Sequence, residues 1–264
     1  MSESPKPVAL VTGASAGIGS VYAERLAERG YDLILVARRA DRLHALSSKI
    51  GVAFGAKVDV VEADLTRDAD VTRVERLIRD TPAITLLVNN AGTSTLAPVA
   101  QTSEQDAAEM VALNVTALTR LTHAILPAFL ARNQGAIINV ASVLSFHALQ
   151  ISAIYSGTKG YVMNFSRGLQ QELADTNVRL QLVMPASTAT ELWDLSGVPL
   201  ASLNQASVMS VENLVDAALA GFDKGEAITL PSVHDASLWE TFDEARARLF
   251  AATQTGKPAP RYAA

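Results

Sequence analysis

The chain has 264 residues, 49% hydrophobic and 19% charged, with a formal net charge of -5, the balance of a globular protein long enough for one large core. It has no cysteine, which excludes disulfides, thiolate metal sites and a cysteine nucleophile. The acidic balance lacks the clustered Lys and Arg of a nucleic-acid surface, and the longest apolar run, Ala124 to Ala131, falls well short of the roughly 18 to 20 residues of a membrane span. His44, His123, His147 and His234 are scattered without ligand spacing, so no metal is expected. Residues 1–6 read as a polar N-terminal extension without the layout of a signal peptide, which makes the cytoplasm the expected location.

Val8 to Val11 is a short strand that runs into Thr12-Gly13-Ala14-Ser15-Ala16-Gly17-Ile18-Gly19, after which an amphipathic helix extends to about Arg29. Strand, glycine-rich turn and helix in direct succession form an anion site: backbone amides and the positive end of the helix dipole face a pyrophosphate that the glycines admit. The spacing is Gly-x-x-x-Gly-x-Gly rather than the commoner Gly-x-Gly-x-x-Gly, and it lacks the Gly-Lys-Ser/Thr of a nucleoside-triphosphate loop. A second strand, Tyr31 to Ala37, ends in Arg38-Arg39 at the distance where such a unit meets the adenosine ribose. An acid there binds free hydroxyls and an arginine takes a 2′-phosphate, so Ala37 followed by Arg38 favours NADP(H), with Ser15 placed to help and Arg39 as a weaker second cation.

A helix from about Asp41 to Ala53 leads to a third strand, Lys57 to Glu62, and to Asp64-Leu65, where the carboxylate either accepts from an adenine amino group or caps the next helix, Asp68 to Asp80. A fourth strand, Ile84 to Val88, ends in Asn89-Asn90-Ala91-Gly92. Strands and helices thus alternate about every 25 to 30 residues, which implies right-handed crossovers and a parallel sheet covered on both faces. Ligands in such folds collect at the carboxyl ends of the strands, where every polar cluster so far lies. The long apolar segment Ser103 to Asn133 carries Asn114 at its middle, an amide that needs partners.

The fifth strand, Ala136 to Ala141, presents Ser142 at its end, and from about Ser152 to Asp175 the pattern is helical. Tyr155 and Lys159, four apart, share one face of that helix. A cation beside a phenol favours the phenolate and draws its pKa down from about 10, which suits a general acid or base, while the Ser142 hydroxyl can hold the oxygen whose proton is exchanged. A sixth strand, Val178 to Met184, is followed by residues 186–210, which mix apolar and turn residues as either a substrate lid or a surface helix would. A helix at Val211 to Asp223, a seventh strand at Ala227 to Leu230, a helix at Ala236 to Ala252 and a tail over 253–264 complete the chain.

Taken in this order, the Gly13-x-x-x-Gly17-x-Gly19 turn, Asp64, Asn89-Asn-Ala-Gly92, Asn114, Ser142 and Tyr155-x-x-x-Lys159 resemble the short-chain dehydrogenase/reductase family over residues 8 to 230. The resemblance implies one Rossmann-type doubly wound α/β domain over 1–264, with a seven-stranded parallel sheet and helices on both faces. It implies that Tyr155 exchanges the substrate proton, Ser142 orients that oxygen, Lys159 binds the nicotinamide ribose and lowers the Tyr155 pKa, and Asn114 holds a water linking Lys159 to solvent. It further implies a cofactor site formed by Gly13, Ser15, Ala16, Gly17, Ile18 and Gly19, Arg38 and Arg39, Asp64 and Leu65, Asn90, Ala91 and Gly92, Pro185, Thr188 and Thr190, together with Tyr155 and Lys159. Homotetramers joined through the helices bearing Asn114 and Tyr155 are usual in the family, a homodimer being the other expectation.

One departure is Ala186, where the family usually has glycine after the proline, so the backbone near the nicotinamide is expected to differ. The expected activity is hydride transfer from NADPH to a ketone or aldehyde, reversible as alcohol dehydrogenation. A non-catalytic NADP(H)-binding regulator is the alternative, and an intramolecular dehydratase or epimerase a third reading. Phe146, His147, Leu149, Leu192, Trp193 and Leu195 are candidates for the wall of an apolar substrate pocket, His147 serving equally as a surface loop residue.

Overall fold

Residues of the central strands alternate between two separate cores, and this alternation builds the sheet. In β1 (Val8–Thr12) Ala9 and Val11 join one core and Leu10 the other; in β2 (Asp32–Ala37) Leu33 and Leu35 oppose Ile34 and Val36. With β3 (Val58–Glu62), β4 (Ile84–Asn89), β5 (Gly135–Val140), β6 (Val178–Val183) and β7 (Ile228–Thr229) they form a parallel sheet in the order β3-β2-β1-β4-β5-β6-β7. The computed structural model describes residues 6–262, so most of the N-terminal extension and the last two residues of the tail lie outside it.

Helices α1 (Gly17–Glu28), α2 (Ala40–Phe54) and α8 (Val211–Asp223) close one core; α3 (Asp68–Asp80), α5 (Leu118–Ala131) and α6 (Ala153–Glu172) close the other. The doubly wound architecture expected from the alternation is therefore present. Burying both faces explains why the strands read as continuous Val, Ile and Leu runs. Local signals set several ends: Ser103 accepts from the Asp106 amide at the start of α4 (Glu104–Val111), Ser210 accepts from the Asn213 amide at the start of α8, and Gly55 at φ +61 ends α2.

Three local features refine the sequence reading. The Ser103 to Asn133 segment is not one helix: between α4 and α5 the backbone widens into a π-helical turn, Ala112–Ala117, with Asn114 in it. β7 is two residues long, since it pairs with only Leu182 and Val183 of β6 and Pro231, just beyond it, has no amide to extend the ladder. Residues 186–210 contain a short helix, α7 (Leu192–Ser196), and two 3-10 turns, Leu200–Ser202 and Gln205–Ser207. The chain divides into two compact units, Met1–Pro231 and Ser232–Ala264. In the second, α9 (Ser237–Ala252) has no buried residue, and its Trp239 and Phe242 rings lie 5.3 Å apart. No helix among the described residues is long and apolar enough to cross a membrane.

Candidate active site

The sheet changes direction between β1 and β4, its neighbours on either side being reached by opposite windings, and there the carboxyl ends of the strands leave a crevice. A cleft of about 470 Å³ opens at this point. Thr12, the last residue of β1, ties the two sides together. Its hydroxyl donates to the Val88 carbonyl and accepts from the Asn90 and Ala91 amides, at 3.0 to 3.2 Å, and the Asn90 side chain returns a bond to the Thr12 carbonyl.

The glycines do different work within the turn. Gly13 sits at φ +68 and an added Cβ would stand 2.8 Å from Asn90 Nδ2 and 2.9 Å from Ala91 Cα; Gly17 sits at φ +55 beside Thr190. Gly19 does not line the cleft: a Cβ there would run into the Gly13 carbonyl, so this glycine lets the helix pack against its own loop. Ala16, at the head of α1, has no side-chain acceptor, so the first-turn amides of α1 are not capped from within as those of α4 and α8 are. A bound anion is what such an end accommodates, and these residues fit the pyrophosphate of a dinucleotide.

At the other end of the crevice Arg39 bonds Ser15 Oγ through both Nε and Nη2 at 3.2 Å, and its Nη1 meets Glu191 Oε2 at 2.8 Å. Arg42 holds the second Glu191 oxygen at 2.6 Å, and the two guanidiniums keep that carboxyl below its usual range. Arg38 is exposed on the same wall and has no side-chain partner among the described residues. Asp64 does not cap α3, whose N-cap is Arg67; its Oδ1 accepts from the Thr66 amide and hydroxyl, and its residue lines the cleft beside Leu65.

At the inner end stand Ser142, Tyr155 and Lys159, all buried. Burial pushes the Tyr155 phenol up to about 12, with a hydrogen bond to Ser142 pulling the other way. Burial likewise brings the Lys159 ammonium down to about 8; its Nζ donates to the Val140 carbonyl at 2.9 Å and lies 5.8 Å from the Tyr155 ring centroid. The sequence reading had the lysine pulling the phenol down. In the protein alone, removal from water is the largest cause of shift for both groups, and the phenol is held as a neutral acid. Asn114 stands behind Gly92 and outside the cleft wall: its Oδ1 accepts from the Thr93 amide, and its Nδ2 donates to the Thr93 carbonyl and to Thr158 Oγ1, at 2.9, 2.9 and 3.0 Å. Thr158 in turn donates to the Tyr155 carbonyl at 2.7 Å. The Asn114 side chain thus clamps the Thr93 loop to α6.

Of the candidate pocket residues, Leu149, Leu192, Trp193 and Leu195 line the cleft, whereas Phe146 and His147 are exposed and do not line it. Trp193 is pinned by its indole N–H to the Thr188 carbonyl at 2.8 Å. The remaining cofactor candidates Ser15, Ile18, Asn90, Pro185 and Thr190 all face the cleft. Ala186 also lines it without strain, because among the described residues only Asn133 is a non-glycine at positive φ. Sequence reasoning passed over Leu96, Leu144 and Glu191. It also missed Thr158, which three positions after Tyr155 on the same helix face carried a legible signal.

The sequence matches the short chain dehydrogenase family over residues 7–197. The chain belongs to this family. Among its relatives, serine 3-dehydrogenase of Rhizobium radiobacter is 36% identical over 184 residues, 69% of this chain and 72% of that protein. A short-chain dehydrogenase from Sphingobium yanoikuyae, solved in complex with NADPH, is 42% identical with a TM-score of 0.94 and coverage of 97% of this chain and 100% of the other. The bulky-bulky ketone specific alcohol dehydrogenase of Comamonas testosteroni is 38% identical with a TM-score of 0.90, covering 98% and 99%. This short-chain dehydrogenase is accordingly an oxidoreductase, on a fold shared with those relatives.

Proposed function

We propose that the protein is an NADPH-dependent carbonyl reductase acting on apolar, bulky ketones, reversible as an alcohol dehydrogenase. The observation that carries the reading is the meeting of Ser142, Tyr155 and Lys159 at one end of a single cleft whose other end offers Ser15, Arg38 and Arg39. An unpartnered arginine on the wall that faces an adenosine ribose supports a 2′-phosphate. The NADPH bound by the Sphingobium relative supports the same cofactor, and the ketone specificity of the Comamonas relative supports the substrate class. Leu96, Leu144, Leu149, Leu192, Trp193 and Leu195 give the cleft an apolar wall.

In this reading the glycine turn and the open head of α1 hold the pyrophosphate, Asn90 to Gly92 underlie the adenosine half, and Pro185 to Thr190 meet the carboxamide. The bound nicotinamide supplies the hydride for the carbonyl carbon. Tyr155 delivers its phenolic proton to the carbonyl oxygen as the new C–H bond forms, so that hydride plus proton make the alcohol. Ser142 holds the same oxygen and the phenol through its hydroxyl. Lys159, still largely an ammonium below about pH 8, stabilises the phenolate left behind. A phenol resting as a neutral acid suits reduction better than oxidation, which needs the phenolate first. A homo-oligomer joined through the α5 and α6 faces belongs to the same proposal; Tyr161, exposed on α6 and stacked on Phe165, is on that surface.

The test is the initial rate of NADPH and NADH oxidation with a panel of aryl and bulky alkyl ketones, for the wild type and Tyr155→Phe. Reduction with NADPH that falls by about 10²- to 10⁴-fold in the variant, with NADPH still bound, supports the reading. Tight NADPH binding with no turnover of any ketone, or undiminished turnover in the variant, removes it.

A further inference from the structure

The carboxylate of Glu191 has no role in the chemistry above, yet it occupies the cationic corner of the cleft. It follows Thr190 at the start of the segment that carries Leu192, Trp193 and Leu195, and both of its oxygens are taken, one by Arg39 and one by Arg42. Arg39 is at the same time the partner of Ser15 on the phosphate turn. A carboxylate of this chain therefore already neutralises the guanidinium that, together with Arg38 and Ser15, stands ready for a 2′-phosphate.

We propose that Glu191 is a specificity-determining residue: its carboxylate competes with the 2′-phosphate of the cofactor for Arg39 and holds the preference for NADPH over NADH below what Arg38, Arg39 and Ser15 give by themselves. The inference rests on the cofactor reading above. Its sign follows from charge. A 2′-phosphate brings roughly -1.5 to -2 charges beside an ionised carboxylate and takes over a donor that the carboxylate was using. A cofactor with a free 2′-hydroxyl does neither, so it leaves the Glu191 pairs intact. The side chains of Arg39, Arg42 and Glu191 are 41%, 43% and 49% exposed, so the penalty is that of a solvated contact and is screened by salt.

Calorimetric titration with adenosine 2′,5′-bisphosphate and with adenosine 5′-monophosphate isolates this corner from the nicotinamide end and from turnover. Wild type, Glu191→Gln and Arg38→Ala are compared at low and at high salt. Glu191→Gln is expected to bind the bisphosphate about three- to tenfold tighter at low salt, less so at high salt, and the monophosphate unchanged. Unchanged or weaker bisphosphate binding overturns the inference, since the carboxylate is then neutral or supportive towards the phosphate. A shift of equal factor for both ligands also overturns it, because that marks a general disturbance of the segment. Failure of the cofactor reading looks different: the wild type does not favour the bisphosphate and Arg38→Ala costs nothing, which removes the basis of the Glu191 proposal as well. Glu191 is half-exposed and glutamine keeps its size, so the cores are untouched by the substitution.

Discussion

Replacing Asn114 by leucine separates a clamp from a catalytic group. The side chain is 1% exposed, and its three hydrogen bonds join the Thr93 amide and carbonyl on one side to Thr158 on the other. Leucine keeps the branched shape and its methyls are bulkier than the amide groups they replace, so no cavity forms, but the two Thr93 backbone groups lose their partner. Each hydrogen bond contributes roughly 0.5 to 1.5 kcal/mol net, and Thr93 is partly reachable by water, so the loss sums to about 2–4 kcal/mol. For a unit of this size that corresponds to a Tm lower by about 4–16 °C. Thr158 keeps its bond to the Tyr155 carbonyl, so α6 holds its course while the Thr93 loop loosens. Urea unfolding of the variant should give the stability loss, and steady-state kinetics should give a higher KM for the ketone because Thr93 lines the cleft. Stability within about 0.5 kcal/mol of wild type would refute the clamp.

The Lys159 ammonium is shifted down to about 8 in the folded protein, against about 10.4 for an unfolded lysine. A buried charge held below its unfolded pKa destabilises the fold at low pH, and the burden lifts as pH rises through the folded value. The stability of the wild type minus that of Lys159→Met should therefore rise by about 1–2 kcal/mol between pH 7.5 and 9.5 in denaturant titrations, and a flat difference would contradict the burial argument. Reduction should slow above about pH 8 as the lysine loses its charge, and a kcat profile flat to pH 10 would remove Lys159 from the proton exchange. Gly13→Ala places a methyl 2.9 Å from the Ala91 backbone at φ +68, so it should cost about 1–3 kcal/mol of stability and weaken dinucleotide binding in fluorescence titration; wild-type values would mean the turn is not set by that contact. Trp193→Ala removes the indole bond to the Thr188 carbonyl and part of the apolar wall, so the KM for a bulky ketone should rise more than that for acetone.

The fold was legible because it rests on local periodicities: β-branched runs of five or six residues, helices between them, and a polar or glycine turn at each strand end. The same was true of the candidate site where its residues lie close in sequence, as in the Gly13 to Gly19 turn and the Tyr155 and Lys159 pair, since spacing on one element dictates which groups share a face. Contacts between distant segments were decided only by tertiary structure. Arg39 and Glu191 are 152 positions apart, and nothing in either neighbourhood marks them as partners. Asn114 reads as an amide in need of bonds, but the π-helical turn that aims it at Thr93 and Thr158 follows from packing between helices. The same limit applies to the acidity of Tyr155. Its neighbour at the fourth position argues for a lowered pKa, while the burial that raises it comes from the fold assembled around the side chain. Sequence spacing determines which groups meet along one element; how much water is left around them depends on the whole assembled core.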